Sequence, residues 1–409
     1  MDKRRIIIIT IFTLVCIGIG YLLYRVFFYT APKPLITTTE ESTEGSQFPQ
    51  ANQGGPKPGE ITETGALPAS ETQQSGSEEG GPGTDFTPGQ VDQVVSNAIT
   101  GVSKDSTSGN PRFYNSQDGK FYRIGANGQP EALSDQVFYN VDDVTWSPIS
   151  DESIIEYPDG ANIYYNFDTK KQATLPKHWE SFSFAPSGDK IAAKSLAFSP
   201  ENRWLVASDP DGNNIELVEP LGNNADKVIV DWSPNKQIVA LSTTGEDLGS
   251  DRQEVLFIGK NGENFKSTVV EGRGLITNWS QTGEKLLYSV HSARNEFKPE
   301  LWIVHSAGDA IGENRKPIQL NTWADKCTFT DDRFAYCGVP RELPKGAGFA
   351  PSLADNIPDD LYKIDVETGI KIKLPIATDH VIESMFVGKD GKTIYFTDKN
   401  QPGLFTVSP

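Results

Sequence analysis

The stretch VTWSPISDESIIEY (residues 144–157) decides the fold of this 409-residue chain. It reads as a short strand that ends in an aromatic residue, a Ser-Pro turn and a second, apolar strand. Similar stretches follow at spacings of 38 to 57 residues, and they are centred on Phe184, Trp232, Trp279, Phe329 and Phe386. Repeats of roughly this length, built from short strands and turns, are typical of a β-propeller.

Each repeat has room for four strands. In the repeat of Trp146, strands are predicted at 153–157, 162–166 and 173–176 after the strand that ends at the tryptophan. A further unit precedes Trp146, with a possible first strand at 95–102, so the sequence predicts an all-β propeller of seven blades, with six as the alternative. The last repeat lacks a fourth strand. Residues near 88–94 are expected to supply it, which would close the ring without an exposed edge.

The repeated aromatic residues are expected to pack between neighbouring blades. Burial of one such side chain contributes about 1.5–3 kcal/mol, so packing alone explains the repeat. An aromatic cage around a ligand is the alternative.

The N-terminus has the pattern of a signal anchor. Residues 6–24 carry no charge and are long enough to span a bilayer. The basic residues 3–5 precede this segment and few follow it, which predicts a single-pass protein with a cytoplasmic N-terminus and an extracytoplasmic remainder. A cleaved signal peptide and lipidation at Cys16 are disfavoured, because neither small-residue cleavage pattern is present. Residues 1–30 are therefore assigned as cytoplasmic tip and membrane anchor.

Residues 31–90 are rich in Pro, Gly, Ser, Thr, Gln and Glu and nearly lack aromatic residues. Such a segment buries too little apolar surface to fold, so a disordered linker is predicted between the anchor and a propeller over 91–409. The formal net charge of −18 argues against nucleic acid as a partner, which would need a basic surface.

The repeat W-S-P-x-x-x-K-I-A, read from the copies at Trp146 and Phe184, resembles the TolB-type, WD-repeat-like units of bacterial envelope proteins. The resemblance covers about 310 residues, and it implies a binding or scaffolding role. The chain lacks the separate N-terminal domain of TolB and has an anchor and linker instead, so the TolB partners are not carried over.

Two cysteines flank the predicted hairpin KCTFTDDRFAYC. Cys327 and Cys337 share a midpoint with Phe329 and Ala335, which places the two cysteines opposite each other on adjacent antiparallel strands. Because the propeller is expected outside the cytoplasm, a disulfide is predicted, with two reduced thiols as the alternative.

No catalytic, cofactor or metal motif was found in the sequence. There is no G-x-S-x-G, H-E-x-x-H, P-loop or dinucleotide fingerprint. Asp209 and Asp211 lie in SDPDGNN, which is interpreted as a hairpin turn because the acidic ligand that ends a calcium loop is missing. The histidines fit no recognisable constellation; they are His178, His291, His305 and His380.

Long loops between the second and third strands of three consecutive blades mark a candidate partner-binding face. The loops are 243–253, 291–299 and 338–360, and long structureless loops often carry function. They bring charged and aromatic side chains to one face, types that are enriched at binding hot spots. The candidate residues are Asp247, Arg252, Arg294, Phe297, Arg341, Lys345 and Phe349. Tolerated surface insertions are the alternative.

The leading hypothesis is a non-enzymatic, membrane-anchored propeller that needs no cofactor and binds a protein or polysaccharide at the cell envelope. The alternative is a propeller enzyme, such as a glycosidase, lyase or hydrolase, that uses carboxylates around the channel; two carboxylates at the channel mouth would favour it. A mainly structural envelope component is the third hypothesis.

Overall fold

The computed structural model describes residues 18–19, 89–105 and 108–408. The predicted membrane anchor at 6–24 and linker at 31–90 lie outside these residues, apart from the helical pair Gly18 and Ile19 and the first residues of the propeller. None of the helices in the described part has the length and apolar character that crossing a membrane requires.

The described residues form 28 strands. They are, in order, β1 (Val91–Val95), β2 (Ile99–Lys104), β3 (Pro111–Asn115), β4 (Lys120–Ile124), β5 (Pro130–Ala132), β6 (Asp143–Trp146), β7 (Glu152–Glu156), β8 (Asn162–Asn166), β9 (Gln172–Leu175), β10 (Trp179–Phe184), β11 (Ile191–Ser195), β12 (Trp204–Ser208), β13 (Glu216–Pro220), β14 (Val228–Val230), β15 (Ile238–Ser242), β16 (Gln253–Gly259), β17 (Thr268–Val270), β18 (Arg273–Trp279), β19 (Lys285–His291), β20 (Pro299–His305), β21 (Lys316–Pro317), β22 (Cys327–Phe329), β23 (Phe334–Pro340), β24 (Asp359–Asp365), β25 (Lys371–Leu374), β26 (Ile382–Val387), β27 (Ile394–Asp398) and β28 (Leu404–Val407).

These strands make seven four-stranded antiparallel sheets, which confirms the seven-bladed propeller. Blades 1 to 6 are consecutive groups of four, from β2–β5 to β22–β25, and blade 7 has the order β26-β27-β28-β1. The first inner strand is β2 at 99–104, a few residues later than the sequence predicted. Short 3-10 turns connect some of the strands.

The ring closes through strand pairing between the two ends of the described propeller. β1 pairs with β28 in antiparallel register, with Val91 opposite Val407 and Val95 opposite Leu404. The missing outer strand of the last blade therefore comes from the residues predicted for it. Because β1 pairs with β28, the backbone edge of β28 is not left open.

The core lies in the seams between blades. Trp146 packs against Phe121 of blade 1, and Trp279 packs in a cluster that includes Ile238 of blade 4. The predicted packing role fails for Phe386, which is half-buried and stacks on Tyr395 of its own blade.

Strand register explains that exception. Trp146 lies opposite the residue seven positions later, Ser153, and in blade 7 the same spacing joins Val387 to Ile394. Val387 is buried and occupies the seam. A shift of one residue along a strand turns a side chain to the other side of the sheet, so the last repeat was aligned one residue out of register.

Candidate functional site

Three long loops lie on one face of the propeller, called the loop face below. They join the second and third strands of blades 4, 5 and 6 at residues 243–252, 292–298 and 341–358. The structure adds a fourth loop that the sequence analysis did not count, at 196–203 in blade 3. This loop carries Phe198, whose side chain is 99% exposed. The signal in the sequence that could have revealed this loop is its apolar stretch, which fits no predicted strand.

Backbone hydrogen bonds hold the loops of blades 5 and 6 together in what we call the clasp. The N–H of Gly346 donates to the carbonyl oxygen of Glu296 at 2.9 Å, and the N–H of Gly348 donates to that of Phe297 at 2.8 Å. Glu296 and Phe297 both adopt left-handed φ angles of 60° and 57°. The loops of blades 5 and 6 therefore form one continuous surface.

Two predicted site residues meet at the clasp. The ring centroids of Phe297 and Phe349 lie 4.7 Å apart, and the ring of Phe349 makes an edge contact with His291 at 4.4 Å. Gly348 makes this approach possible, since a Cβ there would lie 2.4 Å from that of His291. Burial lowers the pKa of His291, which favours the neutral ring. Phe349 nevertheless remains 64% exposed.

Arg252 and Arg294 converge on a single carboxylate. Glu271, in the connection between blades 4 and 5, lies 2.8 Å from Nη2 of Arg294 and 3.5 Å from Nε of Arg252. Arg315 contacts the same carboxylate at 3.0 Å. The side chain of Glu271 is largely buried, with 11% exposed. Both candidate arginines therefore link loops to the blade seam, and sequence spacing alone gives no sign of this cluster.

The remaining candidate charges are mostly paired as well. Arg341 contacts Asp360 at 2.9 Å and Asp379 at 2.6 Å, and Asp247 contacts Arg273 at 2.6 Å. The exposed Lys345 has no ion pair within the described residues. The loop face therefore carries exposed aromatic rings among paired charges. Most of its cationic side chains form ion pairs with carboxylates of the same chain.

A cavity of about 630 Å³ opens between the clasped loops. It is lined by Asn295, Glu296, Lys298, Asn321, Pro340, Arg341, Glu342 and Leu343. A second cavity, of about 250 Å³, lies beneath residues 351–355 of the blade 6 loop and is lined in part by Trp323, Lys326 and Ile382. The loop face thus has both protruding rings and recesses.

A third cavity on the same face lies between blades 2 and 3. It measures about 490 Å³, and four of its lining residues are carboxylates: Asp142, Asp143, Glu156 and Glu180. Burial raises the pKa of Glu156 to about 7, with a further contribution from the neighbouring carboxylates. The lining lysine, Lys177, pairs with Asp159 at 3.0 Å. This acidic cavity was not predicted.

His380 takes part in a hydrogen-bonded constellation that the sequence analysis missed. Its Nδ1 lies 2.9 Å from Asp398 and its Nε2 lies 2.9 Å from the hydroxyl of Thr378. The ring is 4% exposed and packs on Phe396 and Phe405. None of the cavities above is lined by these groups, so the arrangement fits a buried clamp between blades 6 and 7. The pairing of β26 with β27 brings Asp398 to His380.

Cys327 and Cys337 are directly opposite each other on β22 and β23, in the register predicted from the sequence. The two sulfurs are 2.09 Å apart and the Cα atoms 4.1 Å apart. The pair is buried in the seam between blades 5 and 6. Oxidation of this pair in the cell remains a prediction.

In the described part of the chain, no group of three or more His, Cys, Asp or Glu side chains is arranged to hold a metal ion.

No family model and no curated protein matches the sequence. Solved structures match through the fold. The β-propeller domain of Cps50 (Swd1) from Myceliophteria thermophila aligns with 79% of this chain and 100% of its own, at 10% identity and a TM-score of 0.51. An oligogalacturonate lyase from Vibrio parahaemolyticus aligns with 80% of this chain and 94% of its own, at 11% identity and the same TM-score. At such identities the likeness shows a shared propeller fold alone.

Proposed function

We propose that this protein is a non-enzymatic binding module of the cell envelope. In this proposal residues 6–24 anchor it in the membrane, residues 31–90 give it reach, and the loop face recognises a protein or an envelope polysaccharide. The TolB-type resemblance supports a binding role, but it does not identify the partner.

The observation that carries this proposal is the exposed ring of Phe349, which lies on a loop that is hydrogen-bonded to the loop of blade 5. Exposing a large apolar ring to water costs free energy. Here the clasp holds the backbone at Gly346 and Gly348, just before Phe349, while the ring itself stays 64% exposed. Anchors of this kind, surrounded by paired polar groups, are typical of binding hot spots.

Photo-crosslinking in cells tests the proposal. A photoreactive amino acid replaces Leu353, which is 50% exposed on the blade 6 loop, or Ile215, which is 52% exposed on the opposite face. We expect a discrete adduct from position 353 that is absent from position 215 and is lost when Phe349→Ala is added. The same adducts from both positions, or an adduct that survives Phe349→Ala in folded protein, would contradict the proposal.

The acidic cavity favours a second candidate function, the propeller enzyme. Glycoside cleavage uses one carboxylic acid with a raised pKa and one ionised carboxylate. Glu156 has the first property, and Asp143 and Glu180 line the same cavity. Release of new reducing ends or unsaturated ends from polysaccharides by the wild-type chain, abolished by Glu156→Gln, would establish this function. Activity equal in both proteins would exclude Glu156 as the acid.

A further inference from the structure

A cavity on the face opposite the loop face is lined mainly by basic and polar side chains. It measures about 520 Å³ and lies between blades 5 and 6. It is lined by Lys285, Ile303, His305, Asn314, Arg315, Lys316, Val366 and Glu367. These residues belong to strand ends and to loops between the third and fourth strands, which emerge on the face away from the clasp.

Two ammonium groups are drawn together at this cavity by one residue. Nζ of Lys285 donates to the Glu367 carboxylate at 3.0 Å and to the carbonyl oxygen of Asp332 at 2.9 Å. Nζ of Lys316 donates to the backbone carbonyl of the same Glu367. The Glu367 carboxylate contacts Lys285 and, at 3.7 Å, Arg333, whereas Lys316 has no carboxylate partner among the residues that the structure describes.

The cavity has more hydrogen-bond donors than the protein uses. An ammonium carries three donors, so Lys285 retains one and Lys316 retains two. Within the described residues, the side chains of His305 and Asn314 make no hydrogen bond or ion pair. The guanidinium of Arg315 contacts Glu271 through Nη2. Ile303 and Val366 supply an apolar wall.

The geometry points to a binding site for a small oxyanion-bearing ligand, one that carries a carboxylate or a phosphate group. Two lysines, an imidazole and an amide surround a space large enough for a monosaccharide-sized molecule, and charge-assisted hydrogen bonds to an anionic oxygen are the strong ones. The chain as a whole has a net charge of −18, so such a site stands out against its surroundings. It lies apart from the loop face and does not depend on the function proposed there.

Isothermal titration of the full-length chain in detergent tests this site. The probes are inorganic phosphate and glucuronate at matched ionic strength, with glucose as the neutral control. We expect saturable binding of at least one anion and none of glucose. Preference for phosphate would identify a phosphate-bearing ligand and preference for glucuronate a carboxylated sugar; both support the site. Failure of both anions to bind at millimolar concentration would overturn it.

Three variants locate the binding. Lys316→Gln removes one ammonium and should weaken affinity by about tenfold or more. Asn314→Asp replaces a donor by a carboxylate of the same shape, at a left-handed position that both residues tolerate, and should weaken it similarly. Lys227→Gln removes the same charge from an exposed position between blades 3 and 4 and should leave affinity unchanged. Wild-type affinity in folded Lys316→Gln and Asn314→Asp would overturn the assignment.

Discussion

Lys326 and Asp359 form a buried ion pair. Nζ of Lys326 lies 2.7 Å and 2.8 Å from the two carboxylate oxygens of Asp359, which is fully buried. The same carboxylate accepts the backbone N–H of Ile382, the first residue of the next blade's inner strand. Burial raises the pKa of Asp359, and the lysine opposes that shift. The pair therefore joins blades 6 and 7 beneath the loop face.

Lys326→Met should destabilise the propeller by about 3–5 kcal/mol, because it leaves a buried carboxylate without its counter-ion. Chemical denaturation of both proteins measures the difference in the free energy of unfolding. Lys177→Met, which breaks the exposed pair with Asp159, is the matched control and should cost less than about 1 kcal/mol. Equal losses in the two variants would show that burial is not the reason.

Glu156 should make stability fall with rising pH. Its folded pKa is raised to about 7, above the ordinary value of 4.5, so the folded state binds a proton more tightly than the unfolded state. The unfavourable contribution of the charged carboxylate to the free energy of unfolding grows between about pH 4.5 and pH 7 and reaches its full size above pH 7. The melting temperature of Glu156→Gln relative to wild type should rise over that window.

The control for this series is Glu219→Gln, on the exposed outer strand of blade 3. Its melting temperature should follow wild type at every pH. If the melting-temperature difference between Glu156→Gln and wild type is also independent of pH, the acidic cavity no longer supports the alternative enzyme hypothesis.

The cysteine pair should be oxidised in protein isolated from its native compartment. Peptides that span 327–337 should gain about 2 Da on reduction, the mass of two hydrogen atoms. Replacement of both cysteines by serine should cost about 2–3 kcal/mol, as expected for a bridge that closes a short loop. Free thiols that react with an alkylating reagent without reductant would show the pair to be reduced.

Removal of β1 should open the ring. A chain that begins at residue 96 lacks the outer strand of blade 7 and exposes the backbone edge of β28, so we expect a lower melting temperature and aggregation. A chain that begins at residue 89 keeps the pairing and is the control. Light scattering and thermal unfolding of the two chains measure the difference; identical behaviour would mean that the closure contributes little.

Much of the fold could be predicted from the sequence, because short strands, turns and repeated aromatic residues are local signals. The strand at 162–166, the strand register that sets Cys327 opposite Cys337 and the origin of the closing strand were all predicted correctly. The last repeat was misaligned because Phe386 looked like its aromatic position, while a valine takes that position in blade 7.

The site was less predictable. The long loops could be found from spacing, but the partners of their side chains could not. Glu271 contacts arginines from three separate segments, and His380 meets Asp398 at the end of the neighbouring strand β27. Such contacts depend on which strand ends lie side by side in space, and no short-range pattern records that.

The closing strand also decides how the propeller would respond to force. β1 is the outermost strand of its blade and directly follows the N-terminal segment, so tension on that segment enters the domain through β1. β1 runs antiparallel to β28 and forms four residue pairs with it. A pull along the strand therefore loads these pairs together, in shear, whereas a pull across the sheet would separate them one at a time. The strand pairing that closes the ring is therefore also the contact that resists such a pull.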